Sequence, residues 1–96
     1  MELKPLHTTI KKQENTDYGM AVLESYFEYP RGKSNLYLVN NEGKIIWYGK
    51  LPSERDTFVE FKYDLARNVI IAWTWEGIMC DIELASGNII KEKIVK

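Results

Sequence analysis

The chain has 96 residues, enough for one domain and one hydrophobic core. Thirteen basic residues nearly balance fourteen acidic ones, so the chain lacks the basic excess of a dedicated nucleic-acid binder. One cysteine excludes an internal disulfide, and no apolar run approaches the roughly 20 residues of a membrane span. The N-terminal stretch MELKPLHTTIKKQEN carries no apolar signal-peptide core. Together these predict a cytoplasmic protein with neither a membrane nor a nucleic-acid partner.

Residues 3–12, LKPLHTTIKK, are a candidate edge strand, a place that Pro5 tolerates. In GMAVLESYFEY (19–29), Ala21, Leu23, Phe27 and Tyr29 alternate, which predicts a strand. Thr16-Asp17 ahead of Met20, Leu23 and Phe27 also suits a helix start, so both readings stay open there. YPRGKSN (29–35) reads as a loop. Strands are then predicted over 35–40 and 44–50, joined by Asn41-Glu42-Gly43 with the glycine in the left-handed region. In that register Val39 faces Ile45, Leu38 faces Ile46, Tyr37 faces Trp47 and Leu36 faces Tyr48.

KLPSERDT (50–57) links this half to a second one. There the pattern predicts strands over 57–63, 69–75, 78–84 and 88–95, with DLARN (64–68) as the first turn. Glu76-Gly77 reads as a two-residue hairpin turn. Trp75 then opposes Ile78, Trp73 opposes Cys80, Ile71 opposes Ile82 and Val69 opposes Leu84. All eight are apolar, so this face is the expected core, with Trp73 and Trp75 in it. Beyond it, Ile82 faces Ile90, and Asp81 faces Lys91 as an ordinary ion pair. The predicted fold is an all-β antiparallel meander of about seven strands, in two units (about 19–51 and 57–95) packed as a sandwich or partial barrel.

The two units echo each other. LYLVNNEGKII (36–46) and CDIELASGNII (80–90) share turn glycines and apolar positions at an offset of 44 residues. The stretch NLYLVNNEGKIIWYGKLP resembles a blade segment of quinoprotein-type β-propellers. That resemblance implies two blade-like units, too few to close a propeller, which takes roughly four blades or more. In size and style the chain is also similar to the small cytosolic immunity proteins of bacterial contact-dependent inhibition systems. This second likeness implies a protein that acts by binding.

Motifs for chemistry are absent. His7 is the only histidine and sits in a polar stretch, no G-x-S-x-G occurs, and Cys80 lies in an apolar alternation that suits a buried thiol. No cluster has zinc spacing; Asp56, Glu60 and Asp64 form no calcium loop; no glycine-rich phosphate loop appears. Asp81 and Glu83 share one strand face, which suits ion pairing more than acid–base work. No catalytic residue, metal ligand or cofactor is expected.

The aromatics are more informative. At the offset of 44, Tyr37 and Trp47 occupy the places of Asp81 and Lys91, and Val39 and Ile45 extend them into an apolar patch. Three covers suit such a patch: the N-terminal segment, a second subunit in a homodimer, or a partner protein. Acidic residues (Glu42, Glu54, Asp56, Glu76) offer a counterpart to a basic partner, and Trp75 borders a turn. The candidate partner-binding residues are therefore Tyr37, Val39, Glu42, Ile45, Trp47, Trp75 and Glu76. The expected function is a non-enzymatic protein-binding module, most sharply an immunity protein that neutralises a bacterial toxin. The alternatives are a small-ligand binder, with a cleft at Trp47 or Trp75, and a self-associating structural β-protein.

Overall fold

A computed structural model describes residues 3–95. Eight strands follow one another: β1 (Ile10–Thr16), β2 (Gly19–Glu24), β3 (Leu36–Val39), β4 (Ile45–Tyr48), β5 (Phe58–Asp64), β6 (Val69–Thr74), β7 (Ile78–Glu83) and β8 (Ile89–Ile94). They form two four-stranded antiparallel meanders, β1-β2-β3-β4 and β5-β6-β7-β8. No helix is found among the described residues, and none is long and apolar enough to cross a membrane. The all-β class and the two-unit antiparallel layout expected from the sequence are what the structure shows. The strand count is eight rather than seven. The extra strand is the edge strand β1, which overlaps the expected 3–12 segment only at 10–12 and turns at Asp17-Tyr18 into β2. In that turn the Thr16 hydroxyl donates to the Gly19 carbonyl and accepts from the Tyr18 N–H.

The two sheets pack face to face as a sandwich and do not close into a barrel. Ala21, Leu23, Leu36, Leu38 and Trp47 from the first meet Phe58, Phe61, Ile70, Ala72, Cys80, Ile82 and Leu84 from the second or its flanks. At about 25 cal/mol per Å² of apolar area removed from water, this shared core is the main stabilising term. The slab is 17 Å along its shortest principal axis, as two sheets about 10 Å apart with their outer side chains require.

The pairings at the sheet centres, β2 with β3 and β6 with β7, are regular, whereas every pairing with an edge strand carries a register shift. These bulges overturn several expected pairings, because one extra residue turns every later side chain to the opposite face. Val39 faces Ile45 as expected. The shift beyond it pairs Leu38 with Trp47 and Tyr37 with Tyr48, in place of Leu38 with Ile46 and Tyr37 with Trp47. Trp47 is thereby turned into the core, and Ile46 and Tyr48 are left exposed. In the second sheet, Ile82 faces Ile89 rather than Ile90, and the shift restores Asp81 opposite Lys91. A shift after Phe58 lets Phe58 and Phe61, three residues apart, both enter the core.

The β6–β7 hairpin differs by one residue from the expected register. Its loop is Trp75-Glu76-Gly77, not Glu76-Gly77. The Gly77 N–H closes a turn on the Thr74 carbonyl (3.1 Å), and Gly77 takes φ 91°, where glycine alone is unstrained. The pairs become Trp73 with Met79, Ala72 with Cys80, Ile71 with Asp81 and Ile70 with Ile82. Ile70, Ala72 and Thr74 are therefore the inward residues of β6, and Trp73 and Trp75 are not core residues. Asp81 does lie opposite Lys91, but its carboxylate pairs with Arg67 (3.0 Å), which also holds Asp64 (2.8 Å).

Candidate functional site

The sequence-predicted residues separate into three places. Tyr37, Val39 and Ile45 share the outer face of the first sheet with Val22 and Met20, and Leu3 and Ile10 pack over them. The N-terminal segment is thus the cover, and it leaves Tyr37 and Val39 buried. Glu42 sits in the exposed β3–β4 turn, beside Leu3 and Lys4 at the rim of this cover. Trp47 lies on the opposite face, between the sheets, where its Nε1 donates to the Leu84 carbonyl (2.7 Å). Its ring rests on Gly87, where a Cβ would come within 2.6 Å of a ring carbon. Trp75 and Glu76 occupy the β6–β7 turn, at the far end of the first sheet from Glu42: Trp75 meets Tyr26, in the loop that precedes β3.

What clamps the N-terminal segment is Glu24, whose importance the sequence did not signal. Its side chain is fully buried. Its carboxylate accepts the N–H groups of Leu6 (2.6 Å), His7 (3.0 Å) and Thr8 (2.9 Å), and the Tyr37 hydroxyl (2.6 Å). Burial pushes this carboxyl up, but the hydrogen bonds from Leu6, Tyr37, Thr8 and His7 together outweigh it and hold its pKa below the usual value. Burial, together with the bond to Glu24, pushes Tyr37 up in turn. Asn35, also fully buried, ties the sheets together. Its Nδ2 donates to the carbonyls of Glu24 (2.9 Å) and Phe58 (2.7 Å), and its Oδ1 accepts the Phe58 N–H (3.0 Å).

The end of the sandwich around Trp75 is the most distinctive exposed surface. The Trp75 ring is 66% exposed, yet its turn is held on all sides. The Trp75 N–H donates to Thr57 (2.9 Å), and the Glu76 N–H to the buried Asp56 carboxylate (3.1 Å). The Ile78 N–H donates to the Thr74 hydroxyl (3.0 Å), and the Val95 N–H to the Gly77 carbonyl (2.8 Å). Tyr26 backs the ring, centroids 5.2 Å apart, and exposed Phe27, Ile94 and Val95 lie at the same end. Glu54 and Asp56 line a cleft beside Tyr26, so three of the four acidic residues singled out from the sequence gather here, and Glu42 does not.

A second concave feature is a groove of about 350 Å³ lined by His7, Tyr29, Lys33, Ser34 and Tyr48. The rings of His7 and Tyr29 meet edge to face at 5.0 Å, and Tyr48 leans on Tyr37 at 6.1 Å. No group of three or more His, Cys, Asp or Glu among the described residues is placed to hold a metal ion. Cys80 is buried, and burial, with smaller contributions from Glu92, Asp56 and Asp81, pushes its thiol up to about 12. Comparisons with protein-family models, with curated proteins and with solved structures return no match for this chain.

Proposed function

We propose that the chain is a protein-binding module without catalytic activity, and that it docks its partner through the end of the sandwich built around Trp75. The supporting observation is a large aromatic ring 66% exposed on a turn fixed by five hydrogen bonds. Such a side chain loses little freedom on binding, and tryptophan supplies much of the energy in protein interfaces. Tyr26, Phe27, Ile94 and Val95 widen the apolar surface, and its margin is mixed in charge, with Glu54 and Asp56 beside Arg31, Lys33 and Arg55. In its sharpest form this is an immunity protein, acting in the cytosol on a cognate bacterial toxin.

Self-association through the β8 edge is disfavoured by its sequence. In a two-fold antiparallel pairing centred on Glu92, Glu92 meets Glu92 and Lys91 meets Lys93, so like charges oppose. The test is co-expression with the products of adjacent genes, read both as a stoichiometric complex and as rescue of growth from a toxic neighbour. Trp75→Ala is expected to abolish both without lowering the melting temperature. A complex that survives Trp75→Ala, or no complex with any neighbour, overturns this reading.

A further inference from the structure

We propose that the groove between the N-terminal segment, the β2–β3 loop and β4 is a second binding site, selective for an organic ammonium group such as a quaternary or methylated amine. Three aromatic side chains, His7, Tyr29 and Tyr48, form its walls. Ring faces attract cations through their quadrupole, most strongly where water is partly displaced. The walls are fixed. The His7 backbone N–H is bound to Glu24 (3.0 Å), its ring packs on Tyr29, and Tyr48 is braced by Tyr37. Behind the walls lies the Glu24 carboxylate, fully buried, so its negative charge is poorly screened from this side. Its field reaches the groove. Tyr29 is pushed up to about 12, first by burial and then by Glu24 and Tyr48, which keeps its phenol neutral and its ring a cation acceptor. Of the lining side chains Lys33 carries an opposing charge, exposed at the mouth on a long flexible stem, and His7 adds one whenever its ring is protonated.

The test uses the intact protein and two probes of the same shape. These are choline and its uncharged isostere 3,3-dimethyl-1-butanol, titrated while the His7 and tyrosine ring resonances are followed by NMR. Choline is expected to shift the rings of His7, Tyr29 and Tyr48 saturably, and the isostere to leave them in place. Tyr48→Phe retains the ring face and should retain binding, whereas Tyr48→Leu should weaken it roughly threefold or more. Tyr48 is more than half exposed, so neither change threatens the fold. Lys33→Ala removes a like charge from the mouth and should tighten binding by up to about fivefold. The proposal is overturned by an absent choline response, by an equal response to both probes, or by a Lys33→Ala change that weakens binding. The docking surface at Trp75 adjoins the groove, since Tyr29 and Lys33 also line the cleft beside Tyr26, but its test reads Trp75→Ala and a protein partner and so stands or falls independently.

Discussion

Glu24→Gln is the change that most directly probes how the N-terminal segment is held. The four hydrogen bonds divide evenly: Leu6 and Tyr37 donate to Oε2, His7 and Thr8 to Oε1. A glutamine keeps one acceptor. With its oxygen at the Oε1 position, its amide points donors at the Leu6 N–H, leaving that part-buried group unpaired at about 1 kcal/mol. The Tyr37 hydroxyl can rotate and accept from the amide. The His7 and Thr8 bonds remain but lose their charge assistance, which roughly halves them. The expected total is about 2–4 kcal/mol, a large share of the roughly 5–15 kcal/mol that holds a domain of this size together. Urea unfolding near neutral pH reads the loss, and amide exchange at Leu6, His7 and Thr8 shows whether it is local. The pH dependence gives a second arm. Because the folded-state carboxyl lies below its ordinary 4.5, its contribution is present above that value and is lost as pH falls through the folded pKa. The wild type should therefore lose stability below about pH 4.5 more steeply than the variant. A variant within about 0.5 kcal/mol of wild type, with unchanged exchange at the three amides, would refute the clamp.

Three further outcomes follow from the geometry. Trp47→Ala should cost about 3–5 kcal/mol in chemical denaturation, since it empties a core position and strands the Leu84 carbonyl; a loss near zero would return Trp47 to the list of docking residues. Gly87→Ala should destabilise by roughly 1–3 kcal/mol, because the new methyl meets the Trp47 ring and the backbone sits at φ 78°; pairing it with Trp47→Ala should relieve most of the steric part. Trp75→Ala should stay within about 0.5 kcal/mol of wild type in the same assay, as expected for an exposed ring.

The β class, the two-unit plan and the strand positions of the second half were legible because alternation and turn residues carry them. The faces were less so. On β7 and just beyond it, the inward set Cys80, Ile82 and Leu84 is the one that the pattern predicts. On β6 both faces are largely apolar (Val69, Ile71 and Trp73 against Ile70 and Ala72, with Thr74 the one polar residue), so alternation chooses poorly between them. The choice falls to the turn, where one residue separates a two-residue loop from the three-residue loop with Gly77 at positive φ. Bulges are still harder to read. The double isoleucines at 45–46 and 89–90 each absorb a register shift, yet two adjacent apolar residues also suit a plain strand. That is why Tyr37 and Trp47, placed side by side by simple pairing, lie on opposite faces. Glu24 and Asn35 gave no signal, because a buried polar residue is defined by partners from distant segments, here Leu6–Thr8 and Phe58.

The same bulges explain why two similar units leave different surfaces. Leu36 and Leu38 match Cys80 and Ile82 as inward residues, so the repeat holds through β3 and β7. At the edges it breaks. In the first unit the shift sends Trp47 inward to bond Leu84 and cover Gly87, which ties the β4 edge to the β7–β8 loop. On the other flank, Lys11 and Lys12 of β1 donate to the carbonyls of Val59 and Phe61, at 2.6 and 2.5 Å, and occupy acceptors on the β5 edge. The outer face of the first sheet is closed by the N-terminal segment. What stays open is the Trp75 end, where the turn is rigid and the ring is bare. Burying that ring would remove more apolar area from water per ordered side chain than any other exposed residue at this end. A partner that leaves Trp75 uncovered would have to draw its affinity from the half-buried outer face of the second sheet, at Ile71, Trp73 and Met79, or from the N-terminal cover. Loss of binding in Trp75→Ala with an unchanged melting temperature is therefore the outcome that separates docking at this end from docking anywhere else on the sandwich.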